Sequence, residues 1–89
     1  MNAIIAVIGR DKVGILSKIS TICYQNNANV VDVNQTVMQD YFTMIMLVEI
    51  DSLNCGFGEF SAKVTAAGEE IGMTTHVMHE DIFNSMHRI

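Results

Sequence analysis

The chain has no proline and no tryptophan, only two cysteines, and five basic side chains against ten acidic ones. With no proline and no low-complexity tract to mark a linker, the 89 residues read as one folded unit. Cys23 and Cys55 could form one bridge at most, and no disulfide-dense spacing surrounds them, so free thiols are expected. A formal charge of -5 has the wrong sign for a protein that tracks a phosphate backbone by releasing counterions, which sets nucleic acid aside. The apolar run Ala3 to Ile8 is too short to span a bilayer, and no basic segment precedes it as in a secretory signal. The expectation is a soluble cytoplasmic chain that does not enter a membrane.

What the chain does have is apolar surface to place. A hydrophobic fraction of 49% and a positive mean hydropathy are high for a domain so small that much of its surface faces water. Some of that surface should be covered by another chain, and a homodimer is the first expectation.

Asn2 to Ile8 is a β-rich run with apolar residues of both parities, closed by Gly9, which predicts a strand touched on both faces. Ile15, Ile19, Ile22 and Cys23 then fall on one helical stripe, with Asn26 and Asn27 at its exit. Val31, Val33 and Val37 alternate with Asp32, Asn34 and Thr36, predicting a strand that buries one side. Gln39-Asp40 makes a turn into a third strand, where Phe42, Met44, Met46, Val48 and Ile50 share one face and Ile45 and Leu47 the other. Phe57, Phe60, Val64, Ala67 and Ile71 recur at helical intervals up to a stop at Gly72. Met73 to Glu80 is extended by composition, and Asp81 to Ile89 can place Ile82, Phe83, Met86 and Ile89 on one helical side.

The order β-α-β-β-α-β predicts an α+β, ferredoxin-like sandwich: four antiparallel strands, both helices on one face, and a short C-terminal helical tail. We divide it into a domain over residues 1-80 and an amphipathic tail over 81-89, expected to cover the open sheet face or dock on a partner. Such a scaffold hosts many functions, so only the side chains can discriminate between them.

The stretch Ile8-Gly9-Arg10-Asp11-Lys12-Val13-Gly14-Ile15 joins the first strand to the first helix. It matches neither nucleotide-loop spacing. Arg10 could cradle a phosphate, as an acyl-phosphate hydrolase would need, but no second group stands ready to orient water, so that reading is the weaker alternative. RNA recognition would want aromatics on strands one and three within a basic surface, and only Tyr41 or Phe42 could serve. His76 and His79, three apart on a strand, point to opposite faces and cannot share a metal; no metal, cofactor or catalytic group is expected. Cys23, on the apolar stripe, reads as a buried inert thiol.

Asp11-Lys12-Val13-Gly14-Ile15-Leu16, followed by Ile19 and Ile22 and then by Asn29-Val30-Val31, resembles the ACT domain family of small-molecule regulatory modules. The likeness runs from Ile4 to about Glu80, and the tail ending Met86-His87-Arg88-Ile89 is similar to bacterial stand-alone single-domain members. The resemblance implies an amino-acid effector held where two domains meet, between the first loop of one and strand two of the other. Asp11 matches the polar loop position, Gly14 the glycine at the helix start and Asn29 the asparagine before strand two; Val13 stands where the family often has proline.

Physical chemistry supports such a site at Asp11, Lys12, Val13, Gly14 and Asn29. A helix start offers unpaired N-H groups and a partial positive charge to a carboxylate, and Gly14 lets a ligand approach the backbone. Asp11 could hold an ammonium, and Asn29 could both donate and accept. The competing reading has Asp11 capping the helix and Asn29 shaping a turn. A regulatory protein acting through dimerisation and association with a target leads; an adaptor dimer without a metabolite is the alternative.

Overall fold

The computed structural model describes residues 1–86. Strand β1 (Asn2–Arg10) leads to helix α1 (Ile15–Gln25), then to strands β2 (Asn29–Met38) and β3 (Tyr41–Glu49), helix α2 (Phe57–Glu70), strand β4 (Thr74–His79) and the short helix α3 (Glu80–Met86). The strands form one antiparallel sheet in the order β2-β3-β1-β4, so β1 and β3 are central while β2 and β4 are edges. The expected ferredoxin-like sandwich with a C-terminal helix is what the chain adopts.

The core sits between the sheet and the two long helices. Ala3, Ile5 and Val7 of β1 and Met44, Met46 and Val48 of β3 are fully buried on that side, meeting Ile15, Ile19 and Cys23 of α1 and Phe60, Val64 and Ala67 of α2. Burial of a ring such as Phe60 contributes about 2–3 kcal/mol by transfer from water. Thr75 and Gly68 lie in near contact where α2 crosses β4: a Cβ on Gly68 would stand 2.0 Å from the Thr75 hydroxyl oxygen. No side chain fits there.

Both long helices end in the same way. Beyond α1, Asn27 takes a left-handed φ of 60°, its N–H donates to the Tyr24 carbonyl, and the Ala28 N–H reaches back to the Cys23 carbonyl at 2.9 Å. Beyond α2, Gly72 at φ 74° donates to Glu69, and the Met73 N–H to Gly68 at 2.8 Å. Each is a Schellman stop, which satisfies the last carbonyls and turns the chain sharply into the following strand. Asn27 therefore fixes where β2 begins, and Gly72 where β4 begins.

Strand β2 departs from the expected alternation. A bulge between Val30 and Asp32 leaves Val31 without a register partner, and it is Val30 and Val33 that pack against the core while Val31 and Val37 are about half exposed. One extra residue rotates every side chain before it onto the other face, which a strict two-residue count cannot anticipate. Val37 keeps the core parity but lies beyond the helices that would cover it.

In the tail, α3 packs against β1 and β4, and the Asn2 amide donates to the Glu80 carboxylate at 3.4 Å. Phe83 is partly buried while Ile82 remains 54% exposed, so the two do not share one covered side. Ile89, like His87 and Arg88, lies outside the described residues.

Candidate functional site

The loop between β1 and α1 is held at one end of the sheet by the β2–β3 hairpin. The hairpin closes through Gln39 and Asp40 with Gln39 at φ 59°, and the Asp40 carbonyl accepts the Asp11 N–H at 2.9 Å. The Asp40 carboxylate takes the Arg10 guanidinium, which also lies 5.5 Å from the centre of the Tyr41 ring. Arg10 is thereby engaged in fastening the hairpin tip, in contrast to the free phosphate anchor that a hydrolase would need.

From Asp11 to Gly14 every residue is exposed, and Val13 fully so. Gly14 is the N-cap of α1 in a left-handed conformation, φ 89°, with no side-chain cap hydrogen bond and no acidic residue in the first turn. Asp11 consequently does not cap the helix. The Gly14 carbonyl accepts the Lys18 N–H at 2.9 Å, but among the described residues the Val13 and Gly14 N–H groups make no backbone hydrogen bond. The chain thus leaves the positive end of the α1 dipole uncompensated and open to solvent.

Asn29 is the first residue of β2, exposed, and level with Glu49 of β3 and Asn2 of β1. That is the opposite end of the sheet from Arg10, about 25 Å away at the rise of a strand. Within one chain the structure brings Asp11, Lys12, Val13 and Gly14 together and leaves Asn29 apart. The turn before β2 is made by Asn26 and Asn27, which leaves the Asn29 side chain free of that task. Instead it lines a shallow recess of about 260 Å³ with Tyr24, Asn27, Ala28 and Ser52.

Further side chains near these two places were not assigned to the effector site from the sequence. Leu16 in the first turn of α1 is 37% exposed, and Val37, Met38 and Tyr41 are more than half exposed at the hairpin end of the sheet. Their signal was an apolar residue where the helical or strand pattern already had enough of them. A larger groove of about 390 Å³ runs between α1 and α2, but its cations are occupied: Lys18 meets Glu70 at 2.5 Å, and Lys63 donates to the Asn26 side-chain oxygen at 3.0 Å.

The remaining reactive groups lie elsewhere. Burial in the α1 stripe pushes the Cys23 thiol up to about 11, so it stays protonated and unreactive near neutral pH. Cys55 is half buried, with its S–H directed to the Asn26 oxygen at 3.5 Å. His76 and His79 stand on opposite faces of β4, and the His79 ring packs against Phe57 with centroids 4.3 Å apart.

Comparison with known proteins agrees with this layout. Residues 2–78 match the family model described as ACT domain. The chain belongs to the ACT domain family. It is 47% identical to a UPF0237 protein of Methanococcus maripaludis, over 99% of this chain and 98% of that one. A UPF0237 protein of Listeria innocua is 42% identical over the full length of both. The solved structure of an ACT domain protein from Streptococcus pneumoniae superposes with a TM-score of 0.80 at 32% identity, covering 93% of each chain. ACT domains are small-molecule-binding regulatory modules, many of them sensing amino acids. This ACT domain has no helix, among its described residues, long and apolar enough to cross a membrane.

Proposed function

We propose that the protein is a free-standing ACT module that binds an amino acid between two copies of itself and reports it by a change in association. The observation that carries this reading is the β1–α1 loop: an uncapped helix start, opened by a left-handed glycine, fully exposed and tied to the end of an edge strand. An effector carboxylate would be received by the Val13 and Gly14 amides and the α1 dipole, while Asp11 would hold the ammonium and the Lys12 and Val13 side chains would flank it.

Asn29 joins the site only through a second copy. Edge strand β2 presents a row of backbone groups that the sheet does not take up, among which the Val33 N–H is met by the Asp32 carboxylate at 2.9 Å; it is the seam on which two copies can pair about a twofold axis into one eight-stranded sheet. Antiparallel pairing of β2 with its counterpart puts the start of one strand beside the end of the other. Asn29 of the partner subunit then lies at the hairpin end, beside the loop that a single chain keeps about 25 Å away. The distance that separates the five residues in one chain supports a shared site in two.

The test is a melting screen with each amino acid at millimolar concentration, alongside sedimentation of the free and liganded protein. A ligand at a hundred times its dissociation constant stabilises the folded form by about 2.7 kcal/mol. One or a few amino acids should raise the melting temperature and shift the sedimentation, and Asp11→Ala or Asn29→Ala should abolish both. A stable dimer that responds to no amino acid would overturn the sensing role and leave an adaptor.

A further inference from the structure

The left-handed stop at Asn27 folds the end of α1, the start of β2 and the loop that follows β3 around one hollow. That loop is fastened to the helix end, since the Asn54 side-chain amide donates to the Gln25 carbonyl at 3.0 Å and the Asn54 N–H to the Asn26 carbonyl at 3.2 Å. The wall it forms is therefore fixed before any ligand arrives. The hollow is the recess of about 260 Å³ lined by Tyr24, Asn27, Ala28, Asn29 and Ser52. All but Ala28 carry a neutral hydrogen-bonding group, and among the described residues none of those side chains is bonded within the chain. The Tyr24 ring is 83% exposed, and the Asp51 carboxylate next to Ser52 is occupied by the Met1 amino group at 2.8 Å.

Helix α1 packs on the β2 side of the sheet and α2 on the β4 side, so α1 is the helix beside the proposed seam. A twofold axis through that seam sets the two α1 helices side by side in opposite directions. The start of one then lies by the end of the other. The recess at the end of α1 in the partner subunit accordingly faces the β1–α1 loop, where the carboxylate and ammonium of an effector would be held. What remains of the amino acid is its side chain, and the recess is the hollow within its reach.

We propose that this recess receives the side chain of the effector and selects amino acids whose side chain is neutral and hydrogen-bonding, a hydroxyl or a carboxamide. The inference rests on the shared site of the preceding section. At ~30 Å³ per molecule the recess holds about eight waters, room for a side chain as long as that of glutamine. A carboxamide both donates and accepts, as the Asn27 and Asn29 amides do, and the Tyr24 ring offers it a flat surface. A carboxylate or an ammonium would lose water with no opposite charge in the lining to replace it. A branched aliphatic side chain would find only Ala28, itself 6% exposed, while stripping water from amides and hydroxyls to which it returns no hydrogen bond.

The experiment is calorimetric titration of the full chain with amino acids in matched sets: serine against alanine, threonine against valine, asparagine against aspartate and leucine, glutamine against glutamate and methionine. In the set that binds, the hydroxyl or carboxamide should bind about tenfold tighter than its counterparts, the effect of one hydrogen bond left unmade. In Ser52→Ala and Tyr24→Leu that preference should fall severalfold while circular dichroism stays unchanged. Both residues are exposed, and should one variant fail to fold, the other carries the comparison. An effector with an aliphatic, aromatic or charged side chain, or a preference that neither variant moves, overturns the assignment of the recess and leaves amino-acid sensing standing. A protein that binds no amino acid overturns both readings together.

Discussion

Replacement of Gly14 by alanine isolates the backbone conformation on which the proposed site depends. Gly14 holds φ 89°, and a Cβ built there meets nothing within 4 Å, so a methyl group has room but the wrong dihedral. A left-handed conformation costs an L-residue about 1–2 kcal/mol. Alanine also narrows the unfolded ensemble, which offsets about half a kcal/mol, leaving a net loss of about 1 kcal/mol. In a domain of this size that lowers the melting temperature by about 4–8 °C. Asparagine visits the left-handed region more readily and should lose less than alanine at the same position. The assay is urea denaturation at fixed protein concentration, with an unchanged slope as the sign that only stability has moved. An alanine variant as stable as the wild type, or an asparagine variant worse than alanine, would refute the left-handed helix start. Since the alanine variant remains folded at room temperature, a lost amino-acid response in it reports on the loop rather than on unfolding.

Other outcomes follow from the interior. Native protein should release one fast thiol per chain to a disulfide reagent, from Cys55, and a second from Cys23 only on unfolding; two fast thiols would contradict the burial of Cys23. The Cys23 thiol is held at about 11 against an ordinary 9.0, and a raised value favours the protonated folded form. Stability should therefore be level below pH 9 and decline by about 2–3 kcal/mol as pH rises to 11, a decline absent from Cys23→Ala. The Thr75 hydroxyl is buried and, among the described residues, has no hydrogen-bond partner. Thr75→Val should raise stability by about 1 kcal/mol in the same urea assay, and a loss would mean that the hydroxyl has a partner.

The sequence made the fold legible because each element had a period and a stop. Ile15, Ile19 and Cys23 lie on the stripe their spacing predicts, the alternating face of β3 is buried from Phe42 to Val48, and Gly72 ends α2 with a left-handed turn. It misread β2, because a bulge is set by how the chain leaves the α1 stop and meets β3, and local composition does not encode it. The tail was only partly legible, since a short helix with few apolar residues can turn either Ile82 or Phe83 inward.

The candidate site divides along the same line. Asp11 to Gly14 are consecutive, so one local rule about helix starts gathers them. Asn29 belongs with them only if the chain pairs with a copy of itself, a condition written in strand order and edge exposure rather than in spacing. That division has a thermodynamic consequence. When the loop of one chain and Asn29 of the partner subunit grip the same molecule, the rise in dimer affinity must equal the product of the rises in ligand affinity at the two sites, because all are legs of one cycle. A tenfold tighter dimer in the presence of effector thus requires only about threefold tighter effector binding at each of the two equivalent sites of a twofold dimer, about 0.7 kcal/mol per site and about 1.4 kcal/mol in all. Measured dissociation constants that break this equality would show that the loop and the strand do not share a ligand.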